Sequence, residues 1–230
     1  MLDSLQCKLD NVKLFKELPQ SELTNIEAMC VWREFALDET VIATDSAPQD
    51  AVFFVISGSM RVSLPAGPAG EIAFIDLKQG DVFGELSALD GAGRSAGVIG
   101  KEKGVLATLT SAQFNQIVKQ HSEISYALLQ HLTSIIRRNN ARIVDLSTRT
   151  DVQRVYTEIL RISEPDPSGD GSWLITRMPK HREIAVWAGT SEDSVATALG
   201  QLIKVGLAKR RHPSLHIIDR AKVRMLAELG

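Results

Sequence analysis

The amino-acid sequence predicts an α+β chain made of an N-terminal β jelly roll, a long helix and a C-terminal winged helix-turn-helix. Three observations predict it. Short β-branched and aromatic runs, broken by Asp, Ser, Pro and Gly, fill residues 35–107. From Ser111 the apolar spacing turns helical and stays so through one long stretch. After Pro179 come two short helical patterns parted by Gly189, then a strand, a basic turn and a strand.

The elements follow in order. Leu14, Phe15, Leu18, Leu23 and Ile26 share a face, so short helices are expected between Leu9 and Met29. Strands are expected at Val41-Ile42, Val52–Ile56, Met60–Leu64, Ile72–Ile75, Gly97–Ile99 and Val105–Ala107. Many short strands at such spacing suit a sandwich or jelly roll. Phe114, Ile117 and Val118 suit a short helix, and a longer one follows over Ser122–Ser147. On it Leu128, Leu132, Ile135, Asn139, Arg142 and Leu146 fall at alternating steps of four and three. So do Leu129, Leu132, Ile136, Asn139, Ile143 and Leu146. Either set makes a coiled-coil seam, on a helix roughly 35–40 Å long. It reads as a dimerisation helix. A further helix is expected over Asp151–Ser163, a loop around Pro165, Pro167, Gly169 and Gly171, and a strand over Ser172–Arg177. The expected division is 1–120 for the β-domain, 121–148 for the dimerisation helix and 149–230 for the winged domain.

Composition narrows the function. The chain has 230 residues, 44% of them hydrophobic, and a formal net charge of -2. That excludes a uniformly basic protein. Yet between Arg177 and Arg224 the cations, among them Lys180, Arg182, Lys209, Arg210 and Arg211, outnumber Glu183, Glu192, Asp193 and Asp219. One cationic end on an acidic chain implies a polyanion partner for that end. Cys7 and Cys30 form no C-x-x-C pair, and no His falls at zinc-ligand spacing. No metal is expected, and both cysteines suit a reducing compartment. Met1–Gln6 lacks the basic start and apolar run of a signal peptide, and no run approaches a membrane span. A cytoplasmic protein with no membrane partner is expected. There is no Walker loop, no G-x-S-x-G and no H-E-x-x-H, and Gly91-Ala92-Gly93 is not a dinucleotide fingerprint. An enzyme is not expected, a cyclic-nucleotide-processing activity included.

The C-terminal pattern is the most specific. Lys180–Ala188 reads as a helix with Ile184, Ala185 and Ala188 inward, and Gly189 supplies the turn. Thr190 or Ser191 caps a second helix whose Val195, Leu199, Leu202 and Ile203 face the core. Its polar face, Ser191, Glu192, Ser194 and Thr197, points out and suits a major groove. Lys209, Arg210 and Arg211 in the wing suit backbone phosphates. The order Arg-Glu-Ile-Ala, Gly-Thr-Ser, Val-Ala-Thr-Ala-Leu and Val-Gly-Leu-Ala resembles the winged helix-turn-helix of the CRP/FNR family of bacterial regulators. The resemblance implies a homodimer on double-stranded DNA, with RNA polymerase as a partner. It implies DNA-binding roles for Lys180, His181 and Arg182 besides the helix and wing residues. Where the family usually has Arg-Glu, this chain has Glu192-Asp193, and Thr197 stands where Arg is frequent. Glu192 either accepts from a cytosine amino group or repels phosphate.

The second signal is Gly80–Ala96. Phe83-Gly84-Glu85-Leu86 enters a short helical turn, and a Gly-rich loop ends in Arg94-Ser95. Backbone N–H groups at the helix start suit an anion, Arg94 offers a planar fork for phosphate, Glu85 accepts from a sugar hydroxyl and Ser95 offers a hydroxyl. The stretch resembles the phosphate-binding cassette of cyclic-nucleotide-binding domains, and Phe53–Val62 resembles that family's central hairpin. The resemblance implies cAMP or cGMP as allosteric effector, held by Phe83, Gly84, Glu85, Leu86, Arg94 and Ser95. It places Asn139 and Asn140 where the family touches the base across the dimer. A seam Asn also sets register, so both uses stand for Asn139. The alternative is a regulator of the same fold that needs no effector or senses another ligand, with Arg94 and Glu85 paired to brace an empty loop. His121 and His131 read as surface or seam residues.

Overall fold

The computed structural model describes residues 8–43, 50–65 and 71–228. Cys7 and the N-terminal hexapeptide read for a signal lie outside them. The chain forms two compact units, Met1–Ile136 and Arg137–Gly230, that divide inside the long helix.

In the first unit a 3-10 turn, Lys13–Phe15, and helix α1, Gln20–Met29, precede the sheet. The strands are β1 (Val31–Phe35), β2 (Thr40–Ile42), β3 (Val52–Pro65), β4 (Glu71–Lys78), β5 (Val82–Phe83) and β6 (Gly97–Leu109). All pairings are antiparallel, in the order β1-β6-β3-β4, with β2 on β6 and β5 on β3. Strands expected to be short are fused. Val52–Ile56 and Met60–Leu64 belong to one strand, as do Gly97–Ile99 and Val105–Ala107. The segment Phe53–Val62 is therefore not a hairpin; β3 and β4 form it. Gly58 explains the fusion. Its φ is 79°, and an added Cβ would sit 2.6 Å from the Lys103 carbonyl oxygen. A glycine there lets the strand pass through register shifts instead of turning back.

Alternation fixes the core. Phe54, Leu106, Leu109 and Phe114 are fully buried with Leu9 and Ile26. Each such side chain contributes about 1.5–3 kcal/mol. Helix α2 (Glu85–Asp90) follows β5, and α3 (Ser111–Gln120) follows β6, opened by a Thr110–Gln113 capping box. Helix α4 runs over Ser122–Thr148. Ile124, Leu128 and partly Leu132 pack into the same core as Ala88 of α2.

The second unit contains α5 (Asp151–Ile162), β7 (Glu164–Pro165), β8 (Trp173–Ile175), α6 (His181–Ala188), α7 (Glu192–Lys204), β9 (Ala208–Arg211), β10 (Ser214–Ile217) and α8 (Arg220–Glu228). Its four strands run in the order β7-β8-β10-β9. The core gathers Val155, Ile159, Ile184, Val195, Leu202, Leu215 and Val223. Ile203, expected to face inward, is exposed. At 100° per residue it lies about a quarter turn off the stripe of Val195, Ala198, Leu199 and Leu202.

The expected seam resolves into two kinds of residue. Leu128 is buried within its own unit, and Arg142 is half-buried with its guanidinium on carbonyls of α6. Leu129, Ile136, Ile143 and Leu146 are exposed.

Candidate functional site

The cassette is built around a left-handed glycine. Gly84 caps α2 with φ 82°, and an added Cβ would meet Arg94 Nη1 at 2.6 Å. Any side chain here both strains the turn and displaces the guanidinium. Arg94 is buried. Its Nη1 donates to the Gly84 carbonyl at 3.2 Å and its Nη2 to the Ala51 carbonyl at 2.7 Å. Its Cζ lies 5.9 Å from the Phe53 ring centroid, and Phe53 stacks on Phe83 at 4.8 Å. Burial lowers the Arg94 pKa from its ordinary value, while the charges of Asp50 and Glu85 act against that. The structure therefore brings Phe83, Gly84, Glu85 and Arg94 together. Phe83 is a buried floor for the turn, Leu86 is exposed on α2, and Ser95 is exposed just beyond Arg94.

Glu85 is 5% exposed as a residue. Its Oε1 lies 3.4 Å from Nε2 of His131, on α4. His131, read from the sequence as a surface or seam residue, is half-buried and lies against the cassette. The loop after α2 is braced by Ser87, which donates to the Gly93 carbonyl, and by Asp90, which accepts from Ala92 N–H. Asn139 and Asn140 belong to the second unit, the first half-buried and the second exposed.

The reader is held by its turn. Gly189, with φ 61°, ends α6. Ser191 caps α7 by accepting from Ser194 N–H at 3.1 Å. Arg154 of α5 donates to the carbonyls of Ala188 and Gly189, at 2.8 and 3.1 Å. Arg142 of α4 donates to Val186 and Trp187, at 3.4 and 3.0 Å. These cations satisfy the C-terminal carbonyls of α6 and face its negative dipole end. Asp151 accepts from Thr190 Oγ1 at 2.7 Å and Ser194 Oγ at 3.2 Å. The Thr190 bond, ahead of the opposing burial and with Arg154 and Ser194 assisting, lowers the Asp151 pKa.

Ser194 is therefore half-buried and engaged with Asp151 and Ser191, not part of the outward face. Glu192 and Thr197 are exposed on α7, with Ala196 and Gly200. Lys180 and Arg182 are exposed at the start of α6, where Lys180 N–H donates to Glu183, and His181 is half-buried. Lys209, Arg210 and Arg211 are exposed, but they lie on strand β9; the turn itself is His212-Pro213. Arg220, counted among the cations, sits 3.9 Å from the Trp173 ring and donates to the Leu160 carbonyl.

Sequence reasoning missed His131, Asp151, Arg142 and Arg154. His131 carried one usable signal, since it sits between Leu128 and Leu132 on the inward stripe of α4. Among the described residues no group of His, Cys, Asp and Glu is placed to hold a metal. No helix among them is long and apolar enough to cross a membrane.

Residues 32–121 match the family of the cyclic nucleotide-binding domain. The chain is 28% identical over 191 residues to the cAMP-activated global transcriptional regulator Vfr of Pseudomonas aeruginosa, covering 80% of this chain and 88% of that one. It is 25% identical to the CRP-like cAMP-activated global transcriptional regulator of Mycobacterium tuberculosis, covering 83% and 85%. In fold it is similar to a CooA variant from Carboxydothermus hydrogenoformans, with TM-score 0.79, 19% identity and coverage of 97% and 99%. It is also similar to FixK2 from Bradyrhizobium japonicum, with TM-score 0.68, 18% identity and coverage of 86% and 96%.

Proposed function

We propose that this chain is a member of the CRP/FNR family of transcription regulators, in keeping with its relatives and its fold, and a cyclic-nucleotide-responsive regulator that binds a near-palindromic operator as a homodimer. The carrying observation is the coexistence in one chain of two charged sites of opposite character. One is a buried Arg94 and Glu85 flanking the left-handed Gly84. The other is an exposed set of cations around a helix-turn-helix.

The cassette suits a cyclic phosphate and a ribose. Arg94 supplies the fork for phosphate, with Ser95 beside it, and Glu85 is the acceptor for the sugar hydroxyl. The names of the relatives favour cAMP over cGMP. A second copy covers the exposed stripe of Leu129, Ile136, Ile143 and Leu146 on α4, with Asn139 within it for base contact or register. Two-fold symmetry then sets half-sites about 34 Å apart. In each half-site α7 presents Glu192 and Thr197 to the major groove. Lys180, Arg182, Lys209, Arg210 and Arg211 lie on phosphates. Residues 1–120 sense, 121–148 dimerise and 149–230 read DNA in the cytoplasm, with RNA polymerase as the machine acted on.

One observation favours a second reading, a regulator that needs no nucleotide. Arg94 already donates to two backbone carbonyls, so the loop is braced without a ligand. Calorimetric titration with cAMP and cGMP, each in turn, separates the two. Saturable binding of either supports the first reading, and the tighter ligand names the signal. Heat-silent titration with both, and DNA binding unchanged by both, supports the second.

A further inference from the structure

Glu85 has a buried carboxylate and, among the described residues, one side chain within ion-pair distance, His131, which carries a charge only when protonated. The two come from different elements. Glu85 opens α2, the cassette helix, while His131 lies in the half of α4 that packs against α2. The contact is not incidental to a mobile side chain. Ala88, one turn after Glu85, shares a core with Leu128, one turn before His131, and with Leu132, next to it. Both side chains are thus delivered to one seam by apolar packing on either side. At 3.4 Å the pair is within charge contact, yet Nε2 is buried and without a hydrogen bond in the structure. The ring is close enough to hold the carboxylate and leaves the other carboxylate oxygen to accept from elsewhere.

We propose that His131 is the positioning residue of the effector site, fixing Glu85 so that the carboxylate meets the ribose hydroxyl of a cyclic nucleotide. The inference rests on the nucleotide reading above. Without the imidazole beside it, the buried carboxylate has less to hold it in place, because exposed rotamers regain hydration. Glu85 then stops presenting an acceptor to the sugar, although the phosphate contacts through Arg94 persist. Preorganisation by His131 therefore acts on one chemical group of the ligand, the 2′-hydroxyl. It is the one ribose hydroxyl left when the other two are closed into the cyclic phosphate.

That selectivity is the test. Full-length protein is titrated calorimetrically with cAMP and with 2′-deoxy-cAMP, which has no hydroxyl for Glu85. In His131→Leu and His131→Ala, affinity for cAMP is expected to fall about 5- to 10-fold, with affinity for the deoxy ligand changing less than about twofold. His131→Gln, which keeps an N–H donor, is expected to recover most of the cAMP affinity. Two removal variants are included so that a folding failure in one leaves the other to report. Equal losses for both ligands would overturn the positioning role and leave the nucleotide reading intact. No loss for either would do the same. Absence of binding by the unaltered protein to cAMP, to 2′-deoxy-cAMP and to cGMP would overturn the nucleotide reading itself, and this inference with it.

Discussion

The two charged sites of this molecule handle their cations in opposite ways. In the sensor, Arg94 is buried, donates to two carbonyls and lies over an aromatic ring. In the reader, Lys209, Arg210 and Arg211 stand exposed along one edge strand. The difference suits the size of the partner proposed for each. A small anion must be enclosed, and enclosure lets one fixed charge act in a medium of low polarity. A polyanion cannot be enclosed, so many screened charges share the work and release counterions as they bind. Loss of one residue should therefore be severe in the first site and graded in the second.

The sharpest break is Arg94→Ala. Effector affinity is expected to fall by at least about 100-fold in calorimetry, since a charge-assisted fork is lost from a buried site. The thermal midpoint should fall too, because the Gly84 and Ala51 carbonyls lose their donors. DNA binding without effector should persist. Near-normal effector affinity would remove the comparison's first half.

The next largest effect concerns α4. Ile136→Asp combined with Ile143→Asp places two carboxylates in the exposed stripe. The proposed dimer is expected to weaken by about tenfold or more, read by sedimentation velocity across a concentration series. A dimer unchanged by the two substitutions would mean that another face joins the protomers, and a monomeric unaltered protein would overturn the proposed dimer.

In the reader the effect is graded. Removing Lys209, Arg210 and Arg211 together should reduce the slope of log affinity against log salt by roughly 2 to 3, and by roughly 1 for each single change. Fluorescence anisotropy with duplex DNA across a salt series reads this. A slope that does not move would take β9 off the phosphate backbone.

Much of both sites was legible because their signals are local. Gly189 after Ala188, Ser191 before the helix and Gly84 before Glu85 encode caps and turns within three or four residues. The hydrophobic period also set the helices. What was not legible is tertiary. His131 meets Glu85 across 45 intervening residues, and Arg154 reaches the Ala188 carbonyl from another helix. Ser194 looked outward by composition, and only the position of Asp151 draws it in. Ile203 was misplaced because its distance from the stripe is angular, and a mixed apolar run does not reveal it. The strands at Gly58 were split in expectation because Ser-Gly-Ser is turn chemistry, while a bulge uses the same residues.

The smallest effect sets the units against each other in pH. Asp76 in the first unit is opposed by burial, but its hydrogen bonds and charge contacts with Arg61 and Lys101 outweigh it and lower its pKa from 3.8. It contributes stability above that value, lost as pH falls through the lower folded value. Glu158 in the second unit goes the other way. Burial raises its pKa above 4.5 against the pull of Arg161 and Arg142. The folded state there holds its proton longer than the unfolded chain, so stability declines as pH rises from 4.5 through the folded value. Asp76→Asn should remove the first dependence and Glu158→Gln the second, each by about 1 kcal/mol or less. Trp32 lies in the first unit, and Trp173 and Trp187 in the second. Denaturant unfolding followed by fluorescence, in a Trp32→Phe background and in its converse, therefore reports each unit separately. Slopes of the same sign in both units would show that one of these two carboxylates does not dominate its unit. Opposite slopes that vanish in the matching variants would tie the contrast to Asp76 and Glu158, where one carboxyl is buried with enough cationic partners and the other is not.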